Sequence, residues 1–278
     1  MKNTKQQVMI PISKIRPFEG HPYKVKDDDE MNCLIESIQT QGILSPIIVR
    51  PIENTDEYEV ISGHRRLHAS QKAGIKEVSA LIYAVSRDEA AVMLVDNNLH
   101  REHILPSEKA FSYKLKYDAL KHQGITCGQV GHKSRDDISD TESGRQIQRY
   151  IRLTNLIPEL LDLMDENKIA FSVGVELSYL DDQLQYYLLY EIEMNDCTPS
   201  YAQSVRMHKA YNAGMLNRDG IELIMSEMKA NQKEKVSLRM DDIRRYFPKS
   251  YTTQDIQKTI MRLIEKEYER KRRQRDAR

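Results

Sequence analysis

Period-two apolar runs rich in β-branched residues are largely confined to the first third of this 278-residue chain. From residue 87 onward helical spacing takes over. A chain patterned this way is expected to fold as a small mixed unit followed by a helical one. Val8–Ile12 predicts an edge strand. Asp28–Gln41 predicts an amphipathic helix with Met31, Leu34, Ile35 and Ile38 on one face and Gly42 as its stop. Strands follow at Ile47–Arg50 and Tyr58–Ile61, separated by a polar turn around Asn54-Thr55-Asp56. A helix then runs from Gly63 to Ala73, and Val78–Tyr83 completes the strands. Helices are expected over Arg87–Leu99 and from Pro106, a first-turn proline, to Lys121. Residues 122–134 carry three glycines without periodicity and predict a mobile loop. More helices extend to about residue 230, Asn231–Glu234 reads as a linker, and a last helix starts near Thr253. Its stripe is Ile256, Ile260, Leu263, Ile264 and Tyr268. The domain reading is therefore 1–86, 87–123, 124–230 and 231–278.

Composition excludes more than it selects. With 42 basic and 42 acidic side chains, net charge is silent about nucleic acid, so the distribution of charge has to decide. No run of about 18 apolar residues predicts a membrane span, and the start has no signal-peptide core. Cys33, Cys127 and Cys197 stand too far apart for a zinc motif or a disulfide framework, which points to a cytoplasmic protein.

Three constellations carry chemistry. The first is Val60-Ile-Ser-Gly-His-Arg-Arg-Leu-His-Ala-Ser70, where a strand meets a helix at Gly63. Such a junction aims backbone N–H groups and a positive dipole end at one spot, and Arg65 and Arg66 add forked donors that match phosphate. A basic surface turn is the plainer alternative. The second is Asp96-Asn-Asn-Leu-His-Arg-Glu102, which brings Asn97, Asn98 and Arg101 to a helix end. An asparagine C-cap with a favourably placed arginine would look the same. In the third, Asp136–Ile138 predicts a short helix, Thr141–Gly144 a polar turn, and Arg145–Leu153 a second helix. Ile147, Tyr150 and Ile151 are expected to pack inward. Ser143, Arg145, Gln146, Gln148, Arg149 and Arg152 are left as candidate DNA contacts, since arginine and glutamine read guanine and adenine edges. A solvated helix face is the competing reading. The Arg/Lys-dense stretch Lys266–Arg278 suits either a phosphate backbone or a frayed helix end.

In this order and spacing the three constellations resemble the ParB family of partition proteins, over roughly residues 8–180. Gly63-His-Arg-Arg-Leu-His-Ala69 is similar to that family's Gly-Glu-Arg-Arg-x-Arg-Ala box, with His64 and His68 as departures. Asn97-Asn-Leu-His-Arg101 is similar to its Glu-Asn-Leu-Gln-Arg box, with Asn97 in place of the glutamate. The resemblance implies an α+β N-terminal ParB/sulfiredoxin-like domain, an all-α helix-turn-helix domain and a helical C-terminal region. It also implies a homodimer on a palindromic double-stranded DNA site, gated by CTP as a sliding clamp, with slow CTP hydrolysis and a ParA-type ATPase partner. Ser62, Gly63, His64, Arg65, Arg66, Asn98 and Arg101 would then hold the nucleotide, Asn98 would assist Mg²⁺, and the protein would associate with nucleoid or plasmid.

Two further classes compete with this reading. A transcriptional regulator or nucleoid-occlusion-like protein without hydrolysis fits the same scaffold. A sulfiredoxin-type redox enzyme is disfavoured because no cysteine lies near Gly63, and a nuclease because no carboxylate cluster stands out.

Overall fold

The computed structural model describes residues 6–99, 101, 103–123, 142–227, 243–248 and 250–276. The expected loop beyond Gln123, the short helix at Asp136–Ile138 and the linker Asn231–Glu234 lie outside them.

The described residues form two compact units, divided between Glu227 and Met228. The first begins with a five-stranded sheet: β1 (Gln6–Pro11), β2 (Ile15–Arg16), β3 (Ile47–Pro51), β4 (Tyr58–Ser62) and β5 (Glu77–Ile82). Spatial order is β1-β5-β3-β4-β2, so β1 is an edge strand as its position in the sequence suggested. Pairs β1/β5 and β3/β4 run antiparallel, β3/β5 and β2/β4 parallel. Strand β2 is two residues long, too short to announce itself by alternation.

Both sheet faces are covered, which the sequence of β4 explains. Successive side chains point to opposite faces, and Val60 and Ile61 are both fully buried. Val60 joins Ile10, Val49 and Leu67 in one cluster, while Ile61 joins Phe18, Leu94 and Ala119 in another. Helices α1 (Asp29–Gln41) and α2 (His64–Lys72) pack together through Met31, Ile38 and Ala69. Asp28 caps α1 by accepting from Met31 N at 2.8 Å, and Gly42 ends it at φ +70°. Glu59, buried in β4, accepts from Arg50 Nε at 2.7 Å and from Glu19 N at 3.1 Å. That pairing keeps a buried carboxylate satisfied.

Helices α3 (Arg87–Leu99) and α4 (Pro106–His122) match their expected spans. Ser86 and Glu89 cap α3 reciprocally. Beyond them come α5 (Gly144–Leu153), α6 (Pro158–Asp165), α7 (Phe171–Leu177), α8 (Asp182–Asn195), α9 (Tyr201–Asn212) and α10 (Arg218–Ser226). Their core includes Leu153, Leu160, Met164, Leu177, Leu188 and Met207. Buried Gln185 on α8 fixes the turn between α5 and α6: its Oε1 accepts from Ile157 N and its Nε2 donates to Asn155 O and Leu180 O.

In the second unit, α11 (Thr253–Asp276) opens on a Thr252/Asp255 capping pair. Of its apolar stripe only Ile256 is buried; Leu263, Ile264 and Tyr268 are exposed.

Candidate functional site

Strand β4 hands over to α2 at Gly63, whose φ is +100°. A Cβ there would lie 2.8 Å from Ile47 Cγ2 and 3.1 Å from Arg66 Nη2, so both torsion and space demand glycine. No side chain caps α2, which leaves its first-turn amides for water or a ligand.

This junction forms one wall of a cavity of about 430 Å³. Asn98 and Arg101, at and beyond the end of α3, form a second wall, and the His21–Lys26 connection between β2 and α1 a third. His103, Leu105 and Glu108 complete it at the start of α4. Ser62, Gly63, His64, Arg65, Arg66, Asn98 and Arg101, read as one group in the sequence, therefore share one cavity. His21, Tyr23, Lys24, Lys26, His103 and Glu108 were missed. No spacing links them to Gly63, and only the chain path brings the 21–26 segment alongside.

The cations differ in how they are held. Arg65 Nη2 faces Asp28 Oδ1 at 3.4 Å and Glu30 Oε2 at 3.2 Å. These are partly exposed pairs of small energy, which a better anion can displace. Arg66 Nη1 instead donates to Pro46 O at 2.8 Å and to Ser45 O, and burial pulls its guanidinium below the ordinary value. Arg66 thus ties α2 to the start of β3. Arg101 lies with its guanidinium carbon 5.5 Å from the Tyr23 ring centroid, a cation–π contact. The rings of His21 and His64 touch at a 30° tilt with centroids 3.6 Å apart. Burial lowers His21 from 6.5 to about 4, with Arg101 adding to the fall. Burial, His21 and Arg101 lower His64 to about 3, and its Nε2 is buried without a hydrogen-bond partner. Burial pushes the Tyr23 hydroxyl up to about 12. The cavity is therefore lined by neutral imidazoles and permanent guanidinium charge, which suits a polyanion carrying a ring.

Among the described residues the lining supplies no ligand set for a resident magnesium ion. Glu108 is the single carboxylate among the described lining residues, and its oxygens accept from Lys24 N at 2.8 Å and Leu105 N at 3.2 Å. Asn98 turns its Nδ2 back onto Leu94 O at 2.6 Å, and Asn97 is exposed outside the cavity. Magnesium favours anionic oxygen, and the expectation that Asn98 holds it finds no supporting ligand set among the described residues.

The 21–26 connection also reaches the helical region. Lys24 Nζ lies 2.9 Å from Asp162 Oδ1 and 3.2 Å from Asp165 Oδ2, and Asp165 accepts from Ser107 N and Oγ.

A second group lies on α5. Ser143 caps it by accepting from Gln146 N, and Ile147 and Leu153 are buried. Arg145 is exposed, but Gln146, Gln148, Arg149 and Arg152 are only partly so. The five candidate contacts on this helix therefore differ in how far they reach solvent. Arg149 lies 4.9 Å from the Phe171 ring centroid and Arg152 3.9 Å from that of Tyr179. In both, the guanidinium head itself lies over the ring, a cation–π contact. Among the described residues none of Arg145, Arg149 and Arg152 forms an ion pair with a carboxylate, unlike Arg16, Arg50, Arg65, Arg87 and Arg206.

Residues 1–99 match the ParB N-terminal domain family. The chromosome-partitioning protein Spo0J of Thermus thermophilus is 29% identical over 202 residues, 72% of this chain and 70% of its own length. The first 99 residues of this chain are a ParB N-terminal domain. A nucleoid occlusion protein of a Geobacillus species is 38% identical over 113 residues, 40% of either chain. The C-terminally truncated ParB of Caulobacter crescentus has been solved with CTP-γ-S (22% identity, TM-score 0.33, 67% of this chain and 98% of that one). It has also been solved on the centromeric parS site (20% identity, TM-score 0.41, 78% and 98%). The ParB-type α+β domain followed by a helical region, expected from the sequence, is the fold observed. No described helix is long and apolar enough to cross a membrane.

Proposed function

We propose that this ParB-type DNA-binding protein recognises a palindromic duplex site through α5 as a homodimer, and that a cytidine nucleotide in the Gly63 cavity gates it. Residues 1–86 with 87–123 would form the nucleotide unit, residues 124–230 would bind DNA, and a ParA-type ATPase would act on the assembly. The observation that carries the reading is the cavity itself. Two segments far apart in sequence meet to present Gly63, Arg65, Arg66, Asn98 and Arg101 around one space of nucleotide size, with the 21–26 connection as its third wall.

The residues divide the work by chemistry. Gly63 leaves room for phosphate oxygens to approach the α2 amides. Arg65 exchanges its surface carboxylates for ligand oxygen, and Arg66 holds the junction against the 45–46 loop. Arg101 brings charge from the end of α3. Lys24 lines the cavity and also pairs with α6. Ligand contact with the 21–26 segment would therefore reach the DNA-binding helices. Exposed Arg145 and half-buried Arg149 and Arg152, without acid partners among the described residues, suit a phosphate-bearing duplex.

The deciding experiment compares CTP, ATP, GTP and UTP binding with and without duplex selected by the protein from a randomised pool. CTP preference strengthened by DNA is expected; equal weak binding of all four would reject the gate. Arg65→Ala should weaken nucleotide binding at least tenfold with an unchanged melting temperature. Arg66→Ala should lower the melting temperature as well. Equal effects at the two positions would contradict the roles assigned here. A second reading, a DNA-binding regulator that holds nucleotide without hydrolysing it, is favoured by the engaged state of Glu108 and Asn98.

A further inference from the structure

Arg152, in the last turn of α5, is held by residues from outside its own helix. Its guanidinium carbon lies 3.9 Å from the Tyr179 ring centroid. His208 of α9 stacks on the same ring at 3.8 Å between centroids and 14° between planes. Two groups that close to one centroid must occupy opposite faces, so Tyr179 is sandwiched. Beneath it, His208 Nδ1 lies 2.6 Å from Glu176 Oε2; a carboxylate can only accept, so the imidazole donates. The column Arg152–Tyr179–His208–Glu176 thus joins α5, the turn after α7, α9 and α7.

We infer that Tyr179, backed by His208 and Glu176, is a positioning residue that presents Arg152 to a phosphate of bound DNA. Stacking occupies the face of a guanidinium and leaves its in-plane N–H donors unspent. Arg152 Nε is buried with no hydrogen-bond partner, and no carboxylate among the described residues pairs with the group. Asp182 lines the same open groove, together with Thr154, Asn155 and Tyr186, yet forms no ion pair with it. The negative end of the α5 dipole favours a cation here, but it explains neither the sandwich nor the unmet donor. Position selects phosphate over base. Base edges are read from the start of such a helix, where Arg145 and Gln146 stand, and Arg152 lies two turns on.

This inference rests on the DNA-binding reading above, and its test separates the two. Affinity for the selected duplex is measured across salt concentrations for Arg152→Ala, Tyr179→Leu, Tyr179→Phe, His208→Gln and the Arg152/Tyr179 double variant, each checked by thermal melting. Arg152→Ala should weaken binding about tenfold and reduce the slope of log affinity against log salt by about one. Tyr179→Leu should weaken it about three- to tenfold, Tyr179→Phe should restore it, and the double variant should be no weaker than Arg152→Ala. His208→Gln gives the same coupling by a milder route if Tyr179→Leu does not fold. In the free protein the Arg152 Nε–H resonance should carry a ring-current shift that Tyr179→Phe keeps and Tyr179→Leu loses. Tyr179 and His208 variants that bind like the unaltered chain, beside a weakened Arg152→Ala, overturn this inference and leave the DNA reading standing. Indifference to Arg152→Ala overturns this inference and leaves the DNA reading standing, and a chain that selects no duplex overturns both.

Discussion

Gly63 is where one added methyl group should do most harm. Its φ of +100° is unfavourable for any L side chain, and the new Cβ would press on Ile47 of the sheet. Gly63→Ala is expected to cost about 1–3 kcal/mol in urea denaturation and to abolish nucleotide binding in the fraction that still folds. The touching histidines give a pH signature. His21 and His64 titrate near 4 and 3 when folded, against 6.5 ordinarily, so the unfolded chain takes up their protons first. Stability therefore falls as pH drops through 6.5 towards those folded values, and is unaffected above 7. Melting temperatures from pH 7.5 to 5 should decline more steeply for the unaltered chain than for a His21→Gln/His64→Gln variant. At this scale the sequence revealed residue types and not their engagements. Gly63 was legible because a strand meets a helix there. That Arg66 binds the carbonyls of Ser45 and Pro46 depends on neighbours that no spacing displays.

Elements were the most legible level. The predicted α3 span matches residue for residue, and β3, β4, β5 and α4 agree to within a residue or two. Each has a local cause: alternation for strands, a Ser–Glu or Pro start for helices, glycine at the stops. Strand β2 escaped because it exists only by pairing with β4. Packing between helices was likewise hidden. Gly174 in α7 lies so near α6 and α5 that a Cβ would come within 2.3 Å of Met164 Sδ and 3.3 Å of Leu153 Cδ2. Gly174→Ala should lower the urea midpoint, by about 1–3 kcal/mol of overpacking. It should also weaken DNA binding through displaced α5, while leaving nucleotide affinity near that of the unaltered chain. Loss of nucleotide binding to the same extent would show the two sites to be less separate than the packing indicates.

For the whole molecule, function depends on charge left unspent. The chain is neutral overall, so DNA affinity has to come from local cations without local acids. Arg145→Ala and Arg149→Ala should each weaken duplex binding. A base-reading position should relax sequence preference by about 1–3 kcal/mol, and a phosphate-binding one should mainly reduce the salt slope. Titrations at several salt concentrations against matched and scrambled duplexes tell the two apart. By itself the sequence determined the mixed-then-helical architecture, the strand–glycine–helix junction and the arginine-bearing helix, because periodicity, capping and φ preference act over a few residues. Only the tertiary structure decided which cations meet in the cavity, that His21 and Tyr23 wall it, that its carboxylate and amide are already occupied, and that Tyr179 and His208 support Arg152. Most of those outcomes rest on contacts between segments tens of residues apart, where proximity is set by how the layers close and by nothing in the local pattern.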